Sequence, residues 1–247
     1  MKSVKRKIVA TIEARMGSSR LPGKVLMEVN KRKILSYLIE RLKFSKYIDE
    51  IIIATSTNYL DDKIVDFAKS ENINYFRGSE DNVMLRVIKT AEYGNADIIV
   101  EITGDCPLID PEIIDNVIST YLVNNADYVS NCNIRGYPDG MDVEVYSLKT
   151  LKKSYRLTKN RLHREHVSLH IQENPKIFKL INLVPNHDLF YPDLGLTLDE
   201  MDDFKLLKEI ILKMYKPNSY FTCKDIIEFL SKKPKLKEIN KSVKRKY

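Results

Sequence analysis

The chain has 247 residues, 43% of them hydrophobic and 30% charged, with a net charge of +7 at neutral pH. That suits one folded domain with a modest insertion, and excludes a disordered or fibrous chain. Cys106, Cys132 and Cys223 are too scattered for a disulfide framework or a zinc site, and the apolar run at 8–12 is too short for a signal-peptide core or a membrane span.

Much of the excess charge lies at the ends, in Lys2, Lys5, Arg6 and Lys7 and in the basic tail 232–247. Such runs read as solvated or frayed ends. No basic patch is interleaved with aromatics, so neither nucleic acid nor a membrane is expected as a partner. Unpaired cysteines suit a reducing cytoplasm.

Residues 8–12 read as a buried strand. Ile34, Leu35, Leu38, Ile39 and Leu42 then share one helix face. Residues 51–54 form a second strand, and Ile64, Val65, Phe67 and Ala68 a helix. A short third strand covers 72–76, and Val83, Val87, Ile88 and Ala91 mark a helix. Residues 98–100 are a fourth strand, and Ile113, Ile114, Val117, Ile118, Tyr121 and Leu122 give an amphipathic helix. A fifth strand starts at 127–130. Beyond the turn cluster at 136–140, the segment 142–146 alternates like a strand. Residues 148–170 are mostly helical in character, 178–184 form a strand, and 199–214 a helix with Asp199 as its N-cap. Strands alternating with helices predict an α/β fold with a mostly parallel sheet covered on both faces. Ligands then bind outside the carboxyl ends of the strands.

The loop after the first strand, 13–24, holds Arg15, Arg20 and Lys24 together with Gly17, Gly23, Ser18 and Ser19. Glycines allow close approach of the backbone, and cations suit a triphosphate. It matches neither GxxxxGK[ST] nor GxGxxG, so by composition it is either a phosphate loop or an ordinary basic loop. Asp105 follows the fourth strand, beside Gly104 and Pro107. A carboxylate there suits Mg²⁺, which favours one or two carboxylates plus substrate phosphates. The alternative is a turn cap before Asp110-Pro111.

The segment Ala14-Arg15-Met16-Gly17-Ser18-Ser19-Arg20-Leu21-Pro22-Gly23-Lys24 resembles the signature of the cytidylyltransferase superfamily that includes the CMP-Kdo and CMP-sialate synthetases. The SpsF-like branch is the most similar. Further matches follow in family order: Ile53-Ala54-Thr55-Ser56, Arg77-Gly78-Ser79-Glu80-Asp81-Asn82-Val83, Gly104-Asp105-Cys106-Pro107-Leu108, Asp139-Gly140-Met141-Asp142-Val143-Glu144, Arg164-Glu165-His166-Val167 and Leu196-Thr197-Leu198-Asp199-Glu200-Met201-Asp202-Asp203-Phe204.

The resemblance implies a Rossmann-like three-layer α/β/α fold of the nucleotide-diphospho-sugar transferase type, in a single domain. Residues 133–175 would be an acceptor and dimerisation segment, making the protein a homodimer. It further implies a Mg²⁺-dependent enzyme that joins CMP from CTP to a sugar-like or phosphorylated acceptor, releases pyrophosphate and serves surface polysaccharide synthesis.

In that reading Arg15, Arg20 and Lys24 hold the triphosphate, with Ala14, Gly17 and Ser18 in the same loop. Asp105 and Asp199 hold Mg²⁺, and Arg15, Lys24, Asp105 and Asp199 are catalytic. Thr55, Arg77, Gly78 and Ser79 line the base and ribose pocket. Asp139, Asp142, Glu144, Arg164 and His166 face the acceptor. His163, His170 and His187 show no ligand spacing, and Cys106 reads as a small buried filler.

The alternatives are a guanylyl- or uridylyltransferase on a sugar 1-phosphate, a glycosyltransferase of the same fold, and a non-catalytic nucleotide-binding module. The density of cations in 15–24 favours a free triphosphate over a nucleotide diphosphate-sugar. A binding module has no need of both Asp105 and Asp199.

Overall fold

A computed structural model of the chain describes residues 5–245; Lys2 and Lys246, part of the predicted basic ends, lie outside them. The first strand, β1 (Ile8–Glu13), is buried from end to end but for Glu13. A hairpin, β2 (Glu28–Val29) and β3 (Arg32–Lys33), leads into α1 (Ile34–Leu42). There follow β4 (Glu50–Ser56), α2 (Asp62–Ser70), β5 (Asn74–Gly78), α3 (Val83–Tyr93), β6 (Ile98–Thr103) and α4 (Pro111–Val123). The second half contains β7 (Tyr128–Ser130), β8 (Glu144–Ser147), α5 (Leu148–Leu157), α6 (Arg161–Glu165), α7 (Leu169–Gln172) and β9 (Leu180–Asn182). Three helices close the described chain: α8 (Met201–Met214), α9 (Cys223–Ser231) and α10 (Pro234–Lys237).

The main sheet has seven strands in the order β5-β4-β1-β6-β8-β7-β9. Strands β5, β4, β1 and β6 run parallel; β8 is antiparallel to both neighbours; β7 and β9 pair parallel. The sheet is thus mostly parallel, as expected. Alternation of side chains loads both faces. Ala10 and Ile12 join Leu38, Ile64, Ile114, Leu207 and Ile226 on one side, under α1, α2, α4, α8 and α9. Val9 joins Val87, Leu151 and Ile171 on the other, under α3, α5 and α7. The result is three layers, with the near-continuous apolar strands that two-sided burial requires.

From β1 the chain first builds outward through β4 and β5, then returns to add β6 on the opposite edge of β1. Strand order reverses at the β1–β6 junction, and a doubly wound sheet opens its ligand crevice there.

Several elements differ from expectation for visible reasons. The third strand starts at Asn74 rather than residue 72, because Asn72 takes φ 53 and closes α2, with Ile73 N donating to Ala68 O. The segment 142–146 does not extend the sheet in chain order; β8 inserts between β6 and β7. The long helical stretch breaks into α5, α6 and α7, restarting at Asn160, whose side chain accepts from Leu162 N. The last long helix begins at Met201: Glu200 is its N-cap, in a capping box with Asp203. Asp199 therefore does not cap the helix. The tail is also docked rather than frayed up to residue 245. Its lysines reach solvent, but Asn240 and Val243 are buried.

Candidate active site

The site grows from the carboxyl ends of β1 and β6, where Glu13 and Thr103 pair. Gly104 N donates to Glu13 O at 2.9 Å, and a Cβ at Gly104 would sit 2.9 Å from that oxygen. Only glycine lets the two loops cross this closely. The next residue, Asp105, is thereby aimed at the loop following β1.

That loop is braced at its root and closed at its end. Met16 N donates to Asp61 Oδ1 at 2.7 Å, and Asp61 is itself buried and accepts from Ser56 N and Oγ. Gly23 N donates to Met16 O at 2.9 Å, and a 3₁₀ turn over Lys24–Leu26 follows. The turn brings Lys24 back against the end of β6. Its Nζ lies 2.6 Å from Asp105 Oδ2 and 3.0 Å from Asp199 Oδ1, while Arg20 Nη2 lies 2.8 Å from Asp199 Oδ2. Leu198 N donates to Asp105 O at 2.8 Å, so the loops carrying the two aspartates are tied together.

Burial opposes the Lys24 charge, but Asp105 and Asp199 outweigh it and raise its pKa above the usual lysine value. Burial likewise disfavours ionised Asp199, yet Lys24 and Arg20 hold its carboxyl below the usual range. Both groups are charged at neutral pH, so the centre is two carboxylates converging on one cation, flanked by a second.

The surrounding cleft has a volume of about 360 Å³. Of the residues singled out in the sequence, it brings together Ala14, Arg15, Ser18, Arg20, Lys24, Asp105, His166 and Asp199. Gly17 lies in the same loop and is exposed. Thr55 is buried at the end of β4, where its Oγ1 has no hydrogen-bond partner among the described residues. Arg77 and Gly78 end β5 outside the cleft lining. The Arg77 guanidinium donates to the carbonyls of Ser56 and Asn58 and pairs with Asp62 at 2.7 Å. Ser79 Oγ accepts from Asn82 N, just before α3. Arg164 stacks on Tyr155 and donates to the Tyr155 and Thr158 carbonyls. Glu144 is half-buried, accepting from the Tyr128 hydroxyl at 2.7 Å.

His163 and His170 bond to Thr158 and Ser154 within the helical layer. Cys106 is buried, which pushes its thiol well above the usual range.

The cleft also holds Glu13, Arg86 and Glu165, to which the sequence motifs assign no role. Burial raises the Glu13 carboxyl to about 8 against the pull of Arg86, and its oxygens have no hydrogen-bond partner among the described residues. Its signal in the sequence is position: the last residue of a buried strand whose other residues are apolar or Thr.

Asp139 and Asp142 lie beside the cleft around Arg135, at 3.6 Å and 3.4 Å. Burial lifts each carboxyl to about 6. An acid raised on folding binds its proton more tightly in the fold, so that contribution to stability is present below the unfolded value and is lost as pH rises through about 6. Asp142→Asn should therefore match wild type below pH ~4 and become the more stable by about 1–2 kcal/mol at pH ~7.5. Thermal unfolding across pH measures this; a difference that does not change with pH would contradict it.

The family model for cytidylyltransferases matches residues 9–239. An uncharacterised protein of Methanocaldococcus jannaschii is 41% identical over 97% of both chains. The spore coat polysaccharide biosynthesis protein SpsF of Bacillus subtilis is 32% identical over 83% of this chain and 87% of its own. The solved structure of a cytidylyltransferase from Leptospira borgpetersenii superposes with a TM-score of 0.89 at 34% identity, covering 98% of this chain and all of that one. A phosphate-type loop, two converging carboxylates at the switch point and matches spanning nearly the whole chain agree: the protein belongs to the cytidylyltransferase family.

Proposed function

We propose that the protein transfers CMP from CTP to a sugar-like or phosphorylated acceptor, with Mg²⁺, and releases pyrophosphate in the synthesis of a surface polysaccharide. The observation that carries this is the Lys24 ammonium held between Asp105 and Asp199 at the mouth of the loop 15–24. The polysaccharide context is supported by the similarity to SpsF, whose name states it.

The two carboxylates fit Mg²⁺. They converge on one point already occupied by a cationic group. A pair of carboxylates is the complement Mg²⁺ takes when phosphates supply the rest. When bound, the ion polarises the α-phosphate and offsets the charge of the leaving pyrophosphate.

The chain's own residues do the remainder. Arg15, Arg20 and Lys24 meet the triphosphate from the loop, and fixed cations there need no reorganisation as charge develops. Ala14 and Ser18 bring backbone and hydroxyl close to the same phosphates. The acceptor oxygen attacks the α-phosphorus in line with the departing pyrophosphate, so one P–O bond forms as the α–β bridge breaks. His166 and Glu165, which line the cleft, would meet the acceptor together with Asp139 and Asp142.

A pyrophosphate-release screen tests the reading. It crosses CTP, GTP, UTP and ATP with 2-keto sugar acids, sugar 1-phosphates and other phosphorylated acceptors. CTP should be the preferred nucleotide, with turnover requiring Mg²⁺; preference for GTP or UTP would replace the cytidylyl assignment.

The acceptor segment 133–175 carries exposed Ile134, Leu157 and Leu162, which support a dimer interface there. Sedimentation at micromolar concentration should give a homodimer, and a monomer would exclude it. Cys106, Cys132 and Cys223 are unpaired, which supports a reducing cytoplasm. No helix among the described residues is long and apolar enough to cross a membrane.

A further inference from the structure

Asp203 is fully buried and accepts four hydrogen bonds, two at each carboxylate oxygen. Its Oδ2 takes the backbone N–H groups of Asp199 at 3.0 Å and Glu200 at 2.9 Å. Its Oδ1 takes Asn240 Nδ2 and Arg245 Nη2, both at 2.8 Å. Both side-chain donors come from the segment after α10. One carboxylate therefore joins the loop that carries Asp199 to the end of the chain.

The same segment makes three more contacts around the site. Asn240 Nδ2 donates to Gly195 O at 2.9 Å, in the strand-like stretch leading to Asp199. Arg20 Nη1 donates to Lys244 O at 3.0 Å while its Nη2 holds Asp199. Arg245 Nε lies 3.7 Å from Asp139 Oδ2. The guanidinium of Arg245 also packs flat against Gly195: a Cβ there would lie 1.7 Å from Nη2 and 2.2 Å from Cζ. Any side chain at Gly195 would displace it.

We propose that residues 238–245 form a positioning strap for the active site, in which Asn240 and Arg245 fix Asp203 so that Asp203 holds Asp199 at the metal and phosphate centre. Arg245 and Asn240 are positioning residues; neither lines the cleft. A buried carboxylate with four donors is rigid only while all four remain, because losing one leaves charge unsatisfied in a low-dielectric setting. Partners that orient a metal ligand typically change metal affinity or activity about 10–100-fold when removed. The proposal rests on Asp199 serving the nucleotidyl-transfer site, as argued above.

The test uses the full chain as wild type, Arg245→Ala, Arg245→Lys and Gly195→Ala. Gly195→Ala displaces the guanidinium without removing any charged group. Two quantities are read: amide hydrogen exchange at Asp199 and Glu200, and the Mg²⁺ concentration for half-maximal pyrophosphate release. In Arg245→Ala and Gly195→Ala both amides should exchange at least about tenfold faster. The half-saturating Mg²⁺ should rise about tenfold, with KM for CTP at saturating Mg²⁺ changed less than about threefold. Arg245→Lys should recover part of each effect.

Unchanged exchange at the two amides would overturn the strap. So would faster exchange with an unmoved Mg²⁺ dependence, or a loss of rate and Tm together with that dependence intact. A wild-type protein that forms no pyrophosphate from CTP would overturn the proposed function instead, while the exchange measurement still decides whether the tail secures the Asp199 loop.

Discussion

Asp105→Asn and Asp199→Asn should each lower Mg²⁺-dependent pyrophosphate release by about 10²–10³-fold or more, with the fold retained. Each change removes one of two charges that converge on a single point, and an amide is a poor ligand for Mg²⁺. Lys24 keeps one carboxylate partner in either variant, since its Nζ contacts Asp105 at 2.6 Å and Asp199 at 3.0 Å. Stability should therefore move little, by about 1 kcal/mol, as for a partly exposed ion pair. Initial rates across Mg²⁺ concentration, with Tm alongside, make the measurement. Turnover like wild type in either variant would remove that residue from the metal site.

Lys24→Ala should be the reverse case, with a fall in rate and a visible loss of stability in the absence of divalent cation. The ammonium is the partner common to both aspartates, whereas Arg20 pairs with Asp199 and not with Asp105 among the described contacts. Its removal leaves two carboxylates facing each other in a half-enclosed cleft, which should cost about 1–3 kcal/mol. The rate should fall about 10²–10³-fold, because a preorganised cation beside the leaving group is lost. Mg²⁺ should restore much of the lost Tm, since it takes the charge role vacated by the lysine. A Lys24→Ala protein with unaltered rate would move the triphosphate site elsewhere. One whose Tm does not respond to Mg²⁺ would separate Lys24 from the carboxylate pair.

The parallel half of the fold was legible because periodicity and turn chemistry act locally. Buried strands such as β1 and β4 are apolar on both faces, and α1 and α4 carry one apolar stripe, so order along the chain follows from residue pattern alone. The insertion of β8 between β6 and β7 was not legible, since pairing between distant strands is decided by packing rather than by any local signal. The ends of the elements slipped where a single backbone conformation decides, as at Asn72.

The loop 15–24 and Asp105 stood out by residue type, but only the ordered matches with a known family joined Asp199 to them. The start of α8 shows why. Asp199, Glu200, Asp202 and Asp203 crowd one helix start, and each is a plausible cap by composition. The hydrogen bonds select Glu200 and Asp203, leaving Asp199 to face Lys24 and Arg20. Glu13 carries no such signal of residue type, because a lone carboxylate at a strand end normally meets solvent; here the packed neighbours bury both of its oxygens. The tail's lysines are solvated, as composition predicts, but its docking is invisible to composition for a related reason. Its lysines dominate the composition, while the contacts that dock it fall on Asn240, Val243 and Arg245.

The central claim is that the α-phosphorus of CTP goes to the acceptor while pyrophosphate leaves. Incubating the enzyme and Mg²⁺ with CTP labelled at the α- or the γ-phosphorus, against a small-molecule extract of the cells that make the protein, tests it most directly. The α label should appear in a new CMP conjugate and the γ label wholly in pyrophosphate. Appearance of γ label in the acceptor product, or a CTP pool left intact while another nucleotide is consumed, would contradict it.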